Sequence, residues 1–292
     1  MSEARNEIAA RLQVVAAAVL FSTGGVVIKA TALTGWQVAS FRSGTAVLAV
    51  LLLMPGARRR PGRASLVVGA CYAATLILFV LANKLTTAAS AIFLQATAPI
   101  YVVLLGPWLL REPVRRRDMA FLAVLGLGLV LLLAGGQGSQ ATAPSPAAGN
   151  LLAAASGLTF ALTVCGLRSM GRREAKGEAG GASAVAVGNL IAFLAALPLA
   201  LPVEHAGSSD ALAIAYLGVA QVGVAYACLT AALRRLAALP ATLLLFVEPV
   251  LNPVWVYMVH GERLGASALL GGGLILGAAF AKNVLDLRGG RN

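Results

Sequence analysis

Charge is scarce in this chain. Only 12% of its 292 residues are charged and 59% are hydrophobic, against about 25% and about 45–50% in soluble globular domains. A soluble fold with an ordinary polar surface is excluded. Carboxylates are scarcer still, 11 in all, and there are two histidines, His205 and His260. No GxSxG or HExxH pattern occurs and no carboxylate pair falls at mid-depth of an apolar run, so no nucleophile–base pair or metal-hydrolase set can be assembled. A Walker A sequence is absent, which excludes ATP as the direct driver of any work. The three cysteines, Cys71, Cys165 and Cys228, stand alone without CxxC spacing and read as small buried hydrophobes. The expectation is no enzyme activity, no metal and no cofactor.

What the chain has is apolar length, with a mean hydropathy of +0.85. A spanning helix needs about 20 apolar residues, because the hydrocarbon core is about 30 Å thick and a helix rises about 1.5 Å per residue. Ten such runs fit, at 11–32, 35–54, 64–82, 86–110, 118–135, 147–168, 182–201, 210–233, 237–259 and 264–285. The first is longer than the core of a cleaved signal and reads as a retained span. Breaks fall at Pro55-Gly56-Ala57-Arg58-Arg59-Arg60, at Arg115-Arg116-Arg117-Asp118, in the Gly/Ser/Pro-rich stretch 135–146 and in the polar stretch 168–181. None is long enough for a soluble domain.

The net charge of +12 would suggest nucleic acid in a soluble protein. Here the bases sit in short clusters between apolar runs, where topology and anionic lipid headgroups account for them, and no nucleic-acid partner is expected. With ten spans the termini and the even-numbered loops share one side, which carries nineteen of the 23 bases. The opposite side has Lys84 and Arg263, and Lys29 and Arg42 fall inside the first two spans. Short cytoplasmic loops collect Lys and Arg. The asymmetry therefore predicts a multi-pass inner-membrane protein with both termini cytoplasmic.

A shift of 150 residues pairs Lys84 with Arg234, Leu94 with Leu244, Pro99 with Pro249 and Glu112 with Glu262. The proline and glutamate pairs carry the signal, since both residues are rare in spans. The expected fold is all-α, ten transmembrane helices as two five-helix repeats, 1–136 and 147–292 joined by a linker at 137–146. An odd count of spans inverts the second repeat relative to the first. Inverted repeats can present a midplane site alternately to the two sides of a membrane. Pro99 and Pro249 should kink the fourth and ninth spans and serve as gating points, because proline removes a backbone hydrogen bond. Glu112 and Glu262, just past those spans, should cap the helix that follows each.

The segments Ala89-Ser-Ala-Ile-Phe-Leu-Gln-Ala-Thr-Ala-Pro99 through Leu110-Arg-Glu112-Pro, and Leu243-Leu-Leu-Phe-Val-Glu248-Pro249 through His260-Gly-Glu262-Arg-Leu, resemble the EamA-type drug/metabolite transporter superfamily. The likeness extends over essentially the whole chain, including an arginine in the second span, Arg42. The resemblance implies a secondary transporter with cytoplasmic termini and a central cavity between the halves, often an exporter of amino acids, aromatic ones among them, or of related metabolites. One departure is that the first repeat has Ala98 where the second has Glu248.

Ionisable groups within spans are costly and become candidates for function. Glu248 lies about twelve residues, roughly 18 Å, into the ninth span. It reads as a proton-titrating carboxylate that couples transport, as a partner for a substrate ammonium, or as a buried acid stabilising the helix at Pro249. Arg42, about 10 Å into the second span, reads as a receptor for a substrate carboxylate or as a tether to headgroup phosphate or loop carbonyls. Phe79, Tyr101, Phe160, Tyr226 and Trp255 could form an apolar pocket, with Gln95, Asn189, Gln221 and Asn252 supplying hydrogen bonds. Ser22, Thr23 and Gly24-Gly25 permit close approach or polar contact in the first span. The function expected is export of amino acids or similar small metabolites by alternating access. The alternative is a non-transporting membrane scaffold or lipid-handling subunit.

Overall fold

A computed structural model describes residues 2–135, 143–174, 180–260 and 266–289. Over their described residues, all ten expected spans are helical. They are α1 (Ser2–Ser22) with α2 (Gly24–Ala30), α3 (Gly35–Leu53), α4 (Arg63–Leu85), α5 (Ala88–Gln95) with α6 (Ala98–Leu110), α7 (Arg116–Gly135), α8 (Pro146–Glu174), α9 (Gly181–Ala200), α10 (Ser208–Tyr216) with a π-helical segment (Leu217–Val224) and α11 (Ala225–Leu233), α12 (Ala238–Leu244) with α13 (Val247–His260), and α14 (Ala266–Gly289). Helix is the form that satisfies every backbone N–H and C=O internally, which lipid requires. Large apolar side chains such as Leu48, Leu52, Leu212 and Trp108, the last 87% exposed, face outward where lipid would cover them.

The packing carries the inverted repeat. The third span (α4) packs on the sixth (α8), and its repeat counterpart, the eighth (α11), packs on the first (α1). The second (α3) packs on the seventh (α9), the fourth (α5, α6) on the sixth, the ninth (α12, α13) on the first, and α7 on α14. These contacts between repeats pair under exchange of the halves, as a pseudo-twofold relation demands.

Charged groups sort by face. Glu7 and Arg11 near the amino terminus border one cleft with Arg111 and Arg115, with Arg168 and Arg172, and with Arg235. On the opposite face Lys84 Nζ donates to the Thr31 carbonyl (2.9 Å), the Ala32 amide donates to Asp210 Oδ1 (2.9 Å), and the Ser145 amide donates to the Leu85 carbonyl (3.0 Å). Even-numbered loops thus meet at the end that holds the amino terminus, and odd-numbered loops at the other.

Pro99 and Pro249 do not kink continuous helices. The chain breaks ahead of them, at 96–97 and 245–246, and each proline lies in the first turn of the half-helix that follows. That position tolerates proline because its missing N–H would have no intrahelical acceptor there. The two breaks are offset by one residue under the repeat. The first span is interrupted as well, at Thr23, and the eighth widens into the π segment.

Glu112 caps a helix, but not the one that follows it. Its Oε2 accepts from the Ala238 amide at the start of α12 (3.0 Å), in the other repeat. The start of α7 is served by Asp118, whose Oδ2 accepts from the Arg115 amide (3.0 Å). Being acidic within the first turn, Asp118 does locally what the sequence suggested for Glu112. Glu262 lies outside the described residues.

Candidate functional site

A small cavity lies where the two halves meet. Its wall takes Phe21 from α1, Arg42 from α3, Thr75, Leu76 and Phe79 from α4, and Gln95 from α5. The second half supplies Phe160 from α8, Gln221 and Val222 from the π segment, Tyr226 from α11 and Glu248 from α13. Counted as positions a water centre can occupy, it amounts to ≈ 30 Å³, room for about two waters.

Arg42 is 1% exposed. Nη2 donates to the Leu76 carbonyl at 3.1 Å, Nη1 reaches Gln221 Oε1 at 3.5 Å, and Nε has no partner. The tether to headgroups is thereby overturned: α4, α9 and the π segment cover α3, and the carbonyl that Arg42 binds belongs to the middle of α4. Close packing on the π segment sets this up. A Cβ on Gly218 would come within 2.6 Å of Thr45 Cβ and 2.8 Å of the Arg42 carbonyl, so only glycine lets the π segment approach α3 this far and bring Gln221 to the guanidinium. π-Helical turns recur at functional sites for this kind of reason, since they re-aim a side chain without ending the helix.

Glu248 occupies the first turn of α13 and is 8% exposed. Among the described residues its side chain has no hydrogen bond or ion pair, and no carboxylate lies within 4.0 Å of the Arg42 guanidinium. Glu248 also borders a second cavity, shared with Gln95 and Phe160, that runs between the two helix breaks past Pro99 and Pro249. The carboxylate therefore stands between the Arg42 cavity and the seam joining the fourth and ninth spans.

Phe21 and Tyr226 form one wall, and Tyr72 backs it from outside the lining. Phe21 and Tyr226 meet edge to face with ring centroids 5.1 Å apart, and Tyr226 tilts against Tyr72 at 4.4 Å. Gln95 Nε2 donates to Ser156 Oγ (3.2 Å), tying α5 to α8. Thr75 Oγ1 donates to Thr159 Oγ1 (3.0 Å), tying α4 to the same helix.

Of the candidates read from sequence, Arg42, Phe79, Gln95, Phe160, Gln221, Tyr226 and Glu248 converge on the cavity. Tyr101, Asn189, Asn252 and Trp255 are not among its lining. Asn189 Nδ2 is engaged by the Tyr72 hydroxyl (3.2 Å) and the Val185 carbonyl (2.9 Å). Asn252 Nδ2 donates to the Ser22 carbonyl (3.2 Å) and Trp255 Nε1 to Ser22 Oγ (2.8 Å). Ser22 ends α1, where carbonyls lose their intrahelical donors, so Asn252 satisfies a freed carbonyl and Trp255 holds the hydroxyl beside it. Tyr101 packs half-buried against the neighbouring core. Phe21, Thr75, Leu76 and Val222 were missed by sequence reasoning. Only the rarity of aromatics, 6% of the chain, marks Phe21. Among the described residues no group of three or more His, Cys, Asp or Glu could hold a metal ion.

This arrangement can present a cation and an anion to one bound molecule beside an aromatic wall, between halves related by inversion. No curated protein matches the chain. A crystal structure of a protein 23% identical in sequence superposes with a TM-score of 0.75, covering 94% of this chain and 98% of that one, which establishes a shared fold. The EamA-like transporter family matches twice, over residues 9–134 and again over 147–283. With both repeats matched and nearly all of the chain covered, the protein belongs to the EamA-like transporter family and is a multi-pass membrane transporter of the drug/metabolite type.

Proposed function

We propose that the protein exports amino acids, aromatic and other neutral ones included, or similar small zwitterions, across the inner membrane by alternating access. Both termini then face the cytoplasm. The observation that carries this reading is the placement of Arg42 and Glu248 on one cavity, from opposite repeats and without a mutual ion pair. A guanidinium already committed to a carboxylate has little to offer a second one. Here the substrate carboxylate pairs with Arg42, its ammonium with Glu248, and its side chain lies against Phe21, Phe79, Phe160 and Tyr226. A cavity with room for about two waters closes around nothing as large as an amino acid, so binding requires the halves to separate. The rocking of inverted repeats about a midplane site supplies that movement.

The test is counterflow. Purified protein in liposomes loaded with an unlabelled neutral amino acid should accumulate the labelled one from outside. Competition by the zwitterion but not by its amide or its N-acetyl derivative is expected, because each derivative removes one of the two charges. Equal competition by the derivatives, or no amino-acid flux in a preparation that moves another solute, overturns the reading.

A further inference from the structure

The cleft at the amino-terminal end has ≈ 640 Å³ open to water centres, within the range of small-molecule sites, about 300–1,000 Å³. Six arginines line it: Arg11, Arg111, Arg115, Arg168, Arg172 and Arg235. Its three carboxylates are already engaged. Glu7 binds Arg11 at 2.6 Å, Glu112 binds Arg168 at 2.8 Å and the Ala238 amide at 3.0 Å, and Asp118 accepts from the Arg115 amide at 3.0 Å. Arg172 is spent on the Leu110 carbonyl (2.9 Å). That leaves Arg111, Arg115 and Arg235, all exposed, with guanidinium groups that have no partner among the described residues.

Arg111 adds a second observation. Its φ of 54° is the left-handed conformation that ends α6, a place where glycine would sit without steric cost. The chain keeps an arginine there against the backbone's preference, and the side chain lines the cleft. The three free guanidiniums come from two places, the loop after α6 and the turn before α12, and so surround the opening from both repeats.

We propose that this vestibule is a binding site for a phosphate group, held by Arg111, Arg115 and Arg235. Guanidinium forks match phosphate oxygens in geometry and charge, and basic pockets between spans at a membrane face take anionic headgroups. The phosphate can belong to an anionic phospholipid of the adjoining leaflet or to a free phosphate ester. The site is separate from the Arg42 cavity and does not rest on the amino-acid reading.

The test is a thermal-shift titration of the purified full chain in detergent at constant ionic strength. Inorganic phosphate, dihexanoyl phosphatidylglycerol and dihexanoyl phosphatidylcholine are the probes, with chloride as the matched salt. A saturable rise in Tm with phosphate and phosphatidylglycerol identifies the phosphate group as the ligand. A rise with phosphatidylglycerol alone assigns the site to lipid. In either case Arg111→Gln/Arg115→Gln/Arg235→Gln should weaken the apparent affinity at least tenfold, to the order set by losing paired charges. If that variant does not fold, Arg235→Gln alone should weaken it about threefold, one guanidinium of three being lost. The proposal fails if neither probe shifts Tm beyond the chloride control, if phosphatidylcholine acts as well as phosphatidylglycerol, or if the variants bind as the unaltered chain does.

Discussion

Arg168 Nε donates to Glu112 Oε1 at 2.8 Å, while the second oxygen of the same carboxylate caps α12. One side chain in the loop after the fourth span thereby fixes the sixth span and the start of the ninth. Arg168 also reaches the Leu233 carbonyl at 3.0 Å, so the eighth span joins the knot.

Glu112→Ala should cost about 1–3 kcal/mol, because a mostly buried guanidinium loses its counter-charge and a helix start loses its cap. Glu112→Gln should cost less, since its carbonyl oxygen still accepts one of the two bonds. Thermal unfolding in detergent reads both. Equal midpoints for the two variants would show that charge pairing with Arg168, and not capping, carries the link.

Arg42→Lys should lower the amino-acid counterflow rate at least tenfold, although charge is kept. Lysine cannot hold the Leu76 carbonyl, meet Gln221 and still offer a planar fork to a carboxylate. Initial rates over a range of substrate concentrations check this, and a variant with normal transport would remove Arg42 from the binding site.

For Glu248→Gln the expectation concerns pH. An ionised Glu248 attracts a substrate ammonium, and protonation abolishes that attraction. Transport by the unaltered protein should therefore weaken as pH falls through the titration of this carboxylate, while the Gln variant should be slower and flat over the same interval. The pH profile of counterflow decides it. A Gln variant that keeps the original profile would assign the titration to another group.

Gly218→Ala should destabilise the fold by about 1–3 kcal/mol, the usual cost of overpacking, and impair transport in the same variant. The added methyl meets Thr45 Cβ and the Arg42 carbonyl, which forces α3 away from the π segment and Gln221 away from Arg42. Normal transport with only a lowered Tm would separate this packing from the site.

Much of this architecture is legible in the sequence because membrane spans obey a one-dimensional rule: apolar length sets their number, and arginine placement sets their sides. The Pro99/Pro249 pair located both helix breaks to within a few residues. Helix breaks themselves were not legible as breaks, since whether proline kinks a helix or starts a new one depends on which neighbour takes the freed carbonyls. Asn252 and Trp255 illustrate the same limit. Their polarity marked them as candidates for substrate, but the acceptor they serve, Ser22, is more than two hundred residues away in the chain. The π segment left no trace beyond Gly218 and Gly223. For Arg42 the sequence leaves a substrate receptor and a headgroup tether both open, because depth along a helix can be counted from sequence whereas lateral cover cannot; burial under α4, α9 and the π segment removes the tether.

The one-residue offset between the breaks at 96–97 and 245–246, together with Glu248 standing where the first repeat has Ala98, has an energetic meaning. Two identical inverted repeats that exchanged conformations would give inward-facing and outward-facing forms of equal free energy. Every difference between the repeats lifts that degeneracy, and a difference of about 1.4 kcal/mol already populates one orientation tenfold over the other. A carboxylate present in one repeat only, at the break itself, makes that preference depend on whether a cation is bound beside it. On the proposed alternating-access cycle, the resting orientation is set by the places where the two halves fail to match.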